Sequence, residues 1–301
     1  MTSAETSSAS LLSDPASERH TISNHFLEAT FQPLAGGRML RLRHADHGDL
    51  LVPLQDASFD RGVWPKAGAF PLFPFHNRVR DSRFRHESRL IRLKPNSANG
   101  ADVIHGPAHR RRWRITEKGP DFVEMVLDYH ADQEWPFDFT AAQRFELDGN
   151  SLSIGLSLTN SGHATMPGGL GWHPYFKPSR DGLVLTDARS QWNPSGPSGL
   201  PERRPRDIGA GGNSIAIDST EHFSDWTKAT ACIGDGAGIT FYSHPHLSHL
   251  VLHRKADYLC MEPASHVSGA LAALPEAKFG LCLLVPGASL SGTVRLSVDQ
   301  G

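Results

Sequence analysis

Residues 144–160, RFELDGNSLSIGLSLTN, place Leu152, Ile154, Leu156 and Leu158 on alternate positions, with polar or small residues between them and Asp-Gly-Asn just before. Successive side chains of an extended chain point to opposite faces, and a Gly-containing cluster turns it, so this pattern predicts a hairpin with one buried face. FVEMVLDYH (122–130), GITFYSHPHLSHLVLH (238–253), DYLCMEP (257–263) and KFGLCLLVPGASLSGTVRLSV (278–298) likewise alternate or run apolar between Gly, Pro and Asp. Long apolar runs at helical spacing are missing, while 28 Gly and 21 Pro are spread along the chain. The expected fold class is all-β, a sandwich with long functional loops in a single domain over residues 21–301. Residues 1–20 are rich in Ser, Ala and Thr and read as a flexible tail.

Composition narrows the function classes. Hydrophobic residues at 39% and charged residues at 21% describe an ordinary globular chain, and a formal net charge of −2 gives no global pull toward nucleic acid or an anionic membrane. No stretch reaches the roughly 20 apolar residues of a membrane span, and the Ser-rich start lacks a basic region followed by an apolar one. The expectation is a cytoplasmic protein with neither a nucleic-acid nor a membrane partner. Cys232, Cys260 and Cys282 lie far apart with no CxxC pair, which suggests neither a disulfide framework nor a cysteine zinc site. Histidine is the outlier at 17 residues, and it is the side chain that titrates near neutrality.

Five stretches carry candidate chemistry. In GGLGWHPYF (168–176), alternation points His173 and Tyr175 one way and Trp172 and Pro174 the other. A polar ring beside Tyr175 and Phe176 suits a ligand with apolar C–H faces and hydroxyl edges; a core histidine satisfied by backbone is the competing reading. In PLFPFHNRVRDSRF (71–84), Asn77 and Arg78 form a donor-rich pair suited to hydroxyls or an oxyanion, whereas Arg80 and Arg83 read as a solvated strand edge. IHGPAHRRRWRI (104–115) offers His105, whose neighbour Gly106 lets backbone or ligand approach closely, beside a basic run too narrow for a nucleic-acid face. His244, His246, His249 and His253 invite a metal reading, but Pro245 and a parity shift break a common site, leaving a surface loop that enters a strand. Glu262 follows the apolar approach Tyr258 to Met261, which favours a carboxylate turned into a cleft, and by alternation Cys260 shares its face.

Taken in order, NRVRDSRF, the His105-Gly106 pair followed by RRRW, WPFDF (135–139), TNSG with MPGGLGWHPYF, and YLCMEPASHV resemble the aldose 1-epimerase family, the galactose mutarotases, over roughly residues 30–297. The resemblance implies a large antiparallel β-supersandwich with an open cleft, no cofactor and no metal, acting on a monosaccharide as a monomer or homodimer. It implies an isomerase of carbohydrate metabolism that interconverts the α and β anomers of a free aldohexose. Carried over residue by residue, Glu262 falls on the general base, His173 on the general acid, and His105 and Arg78 on substrate-binding and polarising positions; Asn77 and Tyr175 adjoin them. Unperturbed values of about 4.3 for Glu and 6.5 for His lead one to expect an ionised Glu262 and a readily protonated His173. One departure stands out: aligned on Phe223, the family's hydroxyl-binding Asp falls on Thr220, and a small shift would bring Asp218 or Glu221 there instead. The competing functions are a hexose-phosphate mutarotase of the same fold, a non-catalytic carbohydrate-binding or sensor protein, and a metal-dependent sugar isomerase.

Overall fold

The computed structural model describes residues 18–55, 65–98, 100–179, 181–193, 202–205, 213–244, 246–273 and 279–299. Most of the expected tail, residues 1–17, lies outside them, and the first strand opens at His20. Two antiparallel sheets dominate. The first has eleven strands, in the spatial order His20–Ser23, Leu27–Gln32, Arg38–His44, Ala69–Leu72, Gly171–Pro174, Leu259–Ala264, His249–Arg254, Thr220–Ser224, Ser190–Asn193 and Glu202–Pro205, with Gly48–Asp49 attached to the third. The second has nine, with Phe139–Asp148, Ser151–Asn160, Ser289–Val298 and Ala237–Ser243 at its centre. Among the described residues the helical pieces are short 3₁₀ turns, and no helix is long and apolar enough to cross a membrane.

The predicted hairpin forms as read. Asp148 pairs with Ser151 across a turn in which Gly149 takes a φ of +53°, and Leu152, Ile154, Leu156 and Leu158 are all buried. The inner faces of the two sheets meet through aromatic rings: Phe31 lies 4.8 Å from Phe145, and Trp172 lies 6.3 Å from both Phe145 and Phe241. Trp172 is fully buried in this core, so its neighbour His173 must face out of the sandwich, on the outer surface of the first sheet.

Two apolar runs divide where the sequence reads as continuous. GITFYSHPHLSHLVLH covers all but one residue each of Ala237–Ser243 in the second sheet and His249–Arg254 in the first, joined by the histidine-rich loop, of which Pro245 lies outside the described residues. KFGLCLLVPGASLSGTVRLSV gives a short ribbon, Cys282–Leu284 on Met166–Gly168, and then the strand Ser289–Val298 of the second sheet. In the first run the core-facing parity changes with the sheet, from odd Ile239 and Phe241 to even Leu250 and Leu252, and parity does not record which sheet a residue is buried against.

Candidate active site

Strand register assembles the floor of a cleft of about 750 Å³ on the outer face of the first sheet. Gly171 pairs with Ala264, so two positions along each strand His173 and Glu262 share a face. Next in the sheet, Val251 pairs with Glu262 and His253 with Cys260; beyond them, His222 pairs with Val251 and Thr220 with His253. The alternate residues Leu250, Leu252, Leu259, Met261 and Phe223 go into the core. Loops close the sides, with Asn77 to Asp81 and Ile104–His105 along one and Ser268 to Ala272 along another.

Two rings pack against His173. Tyr175 stacks on it at 4.7 Å and 18°, Phe70 at 4.7 Å and 27°, and His105 meets it edge-on at 5.3 Å. Phe70 is the cross-strand partner of His173 and also carries the buried guanidinium of Arg38, 4.7 Å from its centroid. This packing fixes the imidazole plane, which faces Glu262 at 3.4 Å from Nε2 to Oε1.

His105 is held by backbone. Asn77 and His105 both adopt left-handed φ values near +57°; the His105 N–H donates to the Asn77 carbonyl at 2.8 Å and the Asn77 N–H donates to His105 Nδ1 at 3.0 Å. Because Nδ1 accepts, the proton of a neutral ring sits on Nε2. Gly106 is required here, since a Cβ would stand 1.9 Å from the carbonyl oxygen of Phe73. Arg78 is steadied by Asp102 at 2.8 Å, and its backbone N–H donates to Asn77 Oδ1.

Burial sets the electrostatics. Glu262 is 3% exposed, its Oε2 has no hydrogen-bond partner among the described residues, and desolvation pushes its carboxyl up to about 8, opposed only by the Lys66 ammonium. Desolvation, followed by the positive charges of Lys66 and Arg38 and by neighbouring histidines, drives His173 well below its ordinary 6.5. The ionised Glu262 and readily protonated His173 expected from ordinary values are therefore corrected. At neutral pH these shifts put one proton on the carboxyl and leave the imidazole neutral. His105 is depressed for the same first reason, burial.

Of the residues singled out in the sequence, the fold brings Glu262, His173, Tyr175, His105, Asn77 and Arg78 to one cleft. It does not bring Asp218 or Glu221. Asp218 pairs with Lys255 at 2.8 Å and Glu221 accepts from Gln191 at 3.0 Å, while Thr220 and His222 occupy the cleft side of that strand. Arg80 and Arg83, read as a plain strand edge, also line the cleft, Arg83 with Asp81 at 3.2 Å. The 110–114 run is engaged elsewhere: Arg110 and Arg111 pair with Glu134, and Arg114 with Asp128. The four loop histidines do not share a site; His246 bonds the Ser291 carbonyl, whereas His253 reaches Thr220 Oγ1 at 2.8 Å and Tyr258 at 3.2 Å in the cleft. Direct alignment on Phe223 points to Thr220, which lines the cleft; sequence reading missed His222 and His253, although parity with the core residue Phe223 on Thr220–Ser224 could have indicated the first.

The two-sheet antiparallel β-sandwich is the fold of galactose mutarotase-like proteins. A galactose mutarotase-like protein from Clostridium acetobutylicum superposes with a TM-score of 0.80 at 21% identity, over 94% of this chain and 95% of that one. Galactose 1-epimerase from Lactobacillus acidophilus does so with a TM-score of 0.72 at 15% identity, over 93% and 94%. At these identities the likeness is one of fold. In sequence, the family model for aldose 1-epimerase matches residues 18–208, and the chain belongs to that family. The uncharacterized protein YphB of Escherichia coli (strain K12) is 31% identical over 160 residues, 51% of this chain and 54% of that protein, so the match spans about half of this curated relative's length.

Proposed function

We propose that the protein is a mutarotase that interconverts the α and β anomers of a free aldohexose by acid–base ring opening and closure. The observation that carries this reading is the buried pair His173 and Glu262, 3.4 Å apart on the floor of an open polar cleft. Ring opening removes the O1 proton, breaks the C1–O5 bond and places a proton on O5, so one base and one acid must flank the same carbon. Rotation about C1–C2 then presents the other carbonyl face, and closure runs the same transfers backwards. The pair therefore needs one proton, and it holds one. A sugar filling the cleft supplies hydroxyl donors to Glu262 Oε2, which favours the carboxylate and lets the proton reside on His173, the arrangement in which Glu262 is the base. His105 Nε2 and the anchored Arg78 donate to sugar oxygens, and Tyr175 backs the ring.

Polarimetry of freshly dissolved α-glucose and α-galactose tests this. Wild type accelerates equilibration, and Glu262→Gln, which keeps the shape but cannot take a proton, does not.

The second reading, a hexose-phosphate mutarotase, is favoured by one observation: Arg80 and Arg83 line the cleft beside Arg78. Rates on glucose and glucose 6-phosphate separate the two, and a large preference for the phosphate selects the second. A sensor that binds without turnover is distinguished by calorimetric binding with no anomerisation.

A further inference from the structure

Cys260 is a buried thiol beside the cleft-floor pair, on the same strand face as Glu262, that the proton transfers leave unused. Its Sγ, a ring nitrogen of His173 and a carboxylate oxygen of Glu262 all lie within 4.8 Å of one another, and all three residues are buried. Glu262 Oε2 is without a hydrogen-bond partner among the described residues, so one side of the cluster offers an uncommitted lone pair in a desolvated place.

Thiolate, imidazole and carboxylate form a donor set suited to zinc, and tetrahedral bonds of about 2.0–2.3 Å hold ligand atoms roughly 3.5 Å apart. One edge already meets that, with His173 Nε2 at 3.4 Å from Glu262 Oε1. Side-chain adjustments of an ångström or so bring in the sulfur, because strand pairing holds Cys260 and Glu262 on one face. His173 and Glu262 line the cleft, which leaves a fourth position open to water.

We propose that the cleft floor is a binding site for a thiophilic divalent cation of the zinc type, held by Cys260, His173 and Glu262, and that the bound ion blocks sugar turnover. The ion takes the lone pairs that the acid–base pair needs; the thiol and carboxyl protons it displaces pass to water. The activity arm of this inference rests on the mutarotase reading, but the binding arm does not.

Cobalt(II) is the probe for binding. Titrated into the full chain, it is expected to give one equivalent of a thiolate-to-cobalt charge-transfer band that zinc displaces. The band is lost in Cys260→Ser and in Cys260→Ala, whose folding is checked by circular dichroism. Zinc is expected to inhibit wild-type anomerisation, while both variants, still active, are at least about tenfold less sensitive, a factor corresponding to 1.4 kcal/mol. Absence of the band in wild type, or a band unchanged by both substitutions and therefore belonging to Cys232 or Cys282, overturns the site. If the band behaves as expected and the zinc-free protein turns over no aldose, the metal site stands and the mutarotase reading falls.

Discussion

Glu262 and His173 are individually ordinary acid and base types whose behaviour is reversed by where the sheet buries them. Desolvation penalises both charged forms, so the neutral pair is preferred at rest, with its proton on Glu262. The two groups titrate as a unit, and the active form is the one carrying a single proton. On the mutarotase reading, kcat/KM therefore holds level through neutrality and falls as pH rises past about 8, where that proton is lost. A rate profile that instead climbs to a plateau near the ordinary carboxyl value would contradict this. Stability gives an independent check. A carboxyl raised from 4.5 to about 8 is stabilising when protonated, so its contribution is fully present below 4.5 and is lost as pH rises to about 8. Glu262→Gln should consequently melt several degrees above wild type at pH 9 and converge with it near pH 4.5, as read by calorimetry. Alternation grouped His173 with Tyr175, and the apolar approach of Glu262 favoured a cleft, where both residues lie; sequence could not reveal their protonation, which depends on neighbours such as Phe70, Arg38 and Lys66 brought from distant segments.

The strand Thr220–Ser224 shows what one position of parity decides. Phe223 points into the core, so Glu221 is turned from the cleft with it, and Thr220 and His222 face the cleft. Asp218→Asn and Glu221→Gln are expected to leave anomerisation within about twofold of wild type, whereas His222→Ala raises KM; steady-state kinetics on one aldose compares all three. A large loss in Asp218→Asn would mean that the carboxylate leaves Lys255 for the substrate. The loop at His105 is positioned by the missing side chain of Gly106. Gly106→Ala drives a methyl into the Phe73 carbonyl, and overpacking of this kind costs about 1–3 kcal/mol. The expected result is a lower melting temperature together with a raised KM, since His105 moves with the loop. The run at 238–253 marks the limit of local pattern: its core-facing parity shifts between Phe241 and Leu250 as the chain passes from one sheet to the other, and only the pairing partners reveal which sheet each half joins.

Across the whole molecule, the sandwich works as a rigid back wall for the cleft. Trp172 carries the link, lying between the sheets against Phe145 and Phe241 while the next residue, His173, stands on the cleft floor. Removing a buried Trp costs about 3–5 kcal/mol, and Trp172→Ala is expected to lower the unfolding free energy by about that much, read as a lower denaturant midpoint at unchanged slope. The all-β class and the sandwich were legible from alternation and turns, and the family from five motifs in order. The strand order was not, because it joins segments such as Ala69–Leu72, Gly171–Pro174 and Leu259–Ala264 that lie far apart in the chain. The central claim is that this floor passes protons to and from a sugar ring. Polarimetry of α-glucose and α-galactose with wild type and Glu262→Gln tests it most directly. Wild type is expected to speed equilibration and the folded variant to leave it at the buffer rate; equal activity in the two would rule out proton transfer through Glu262.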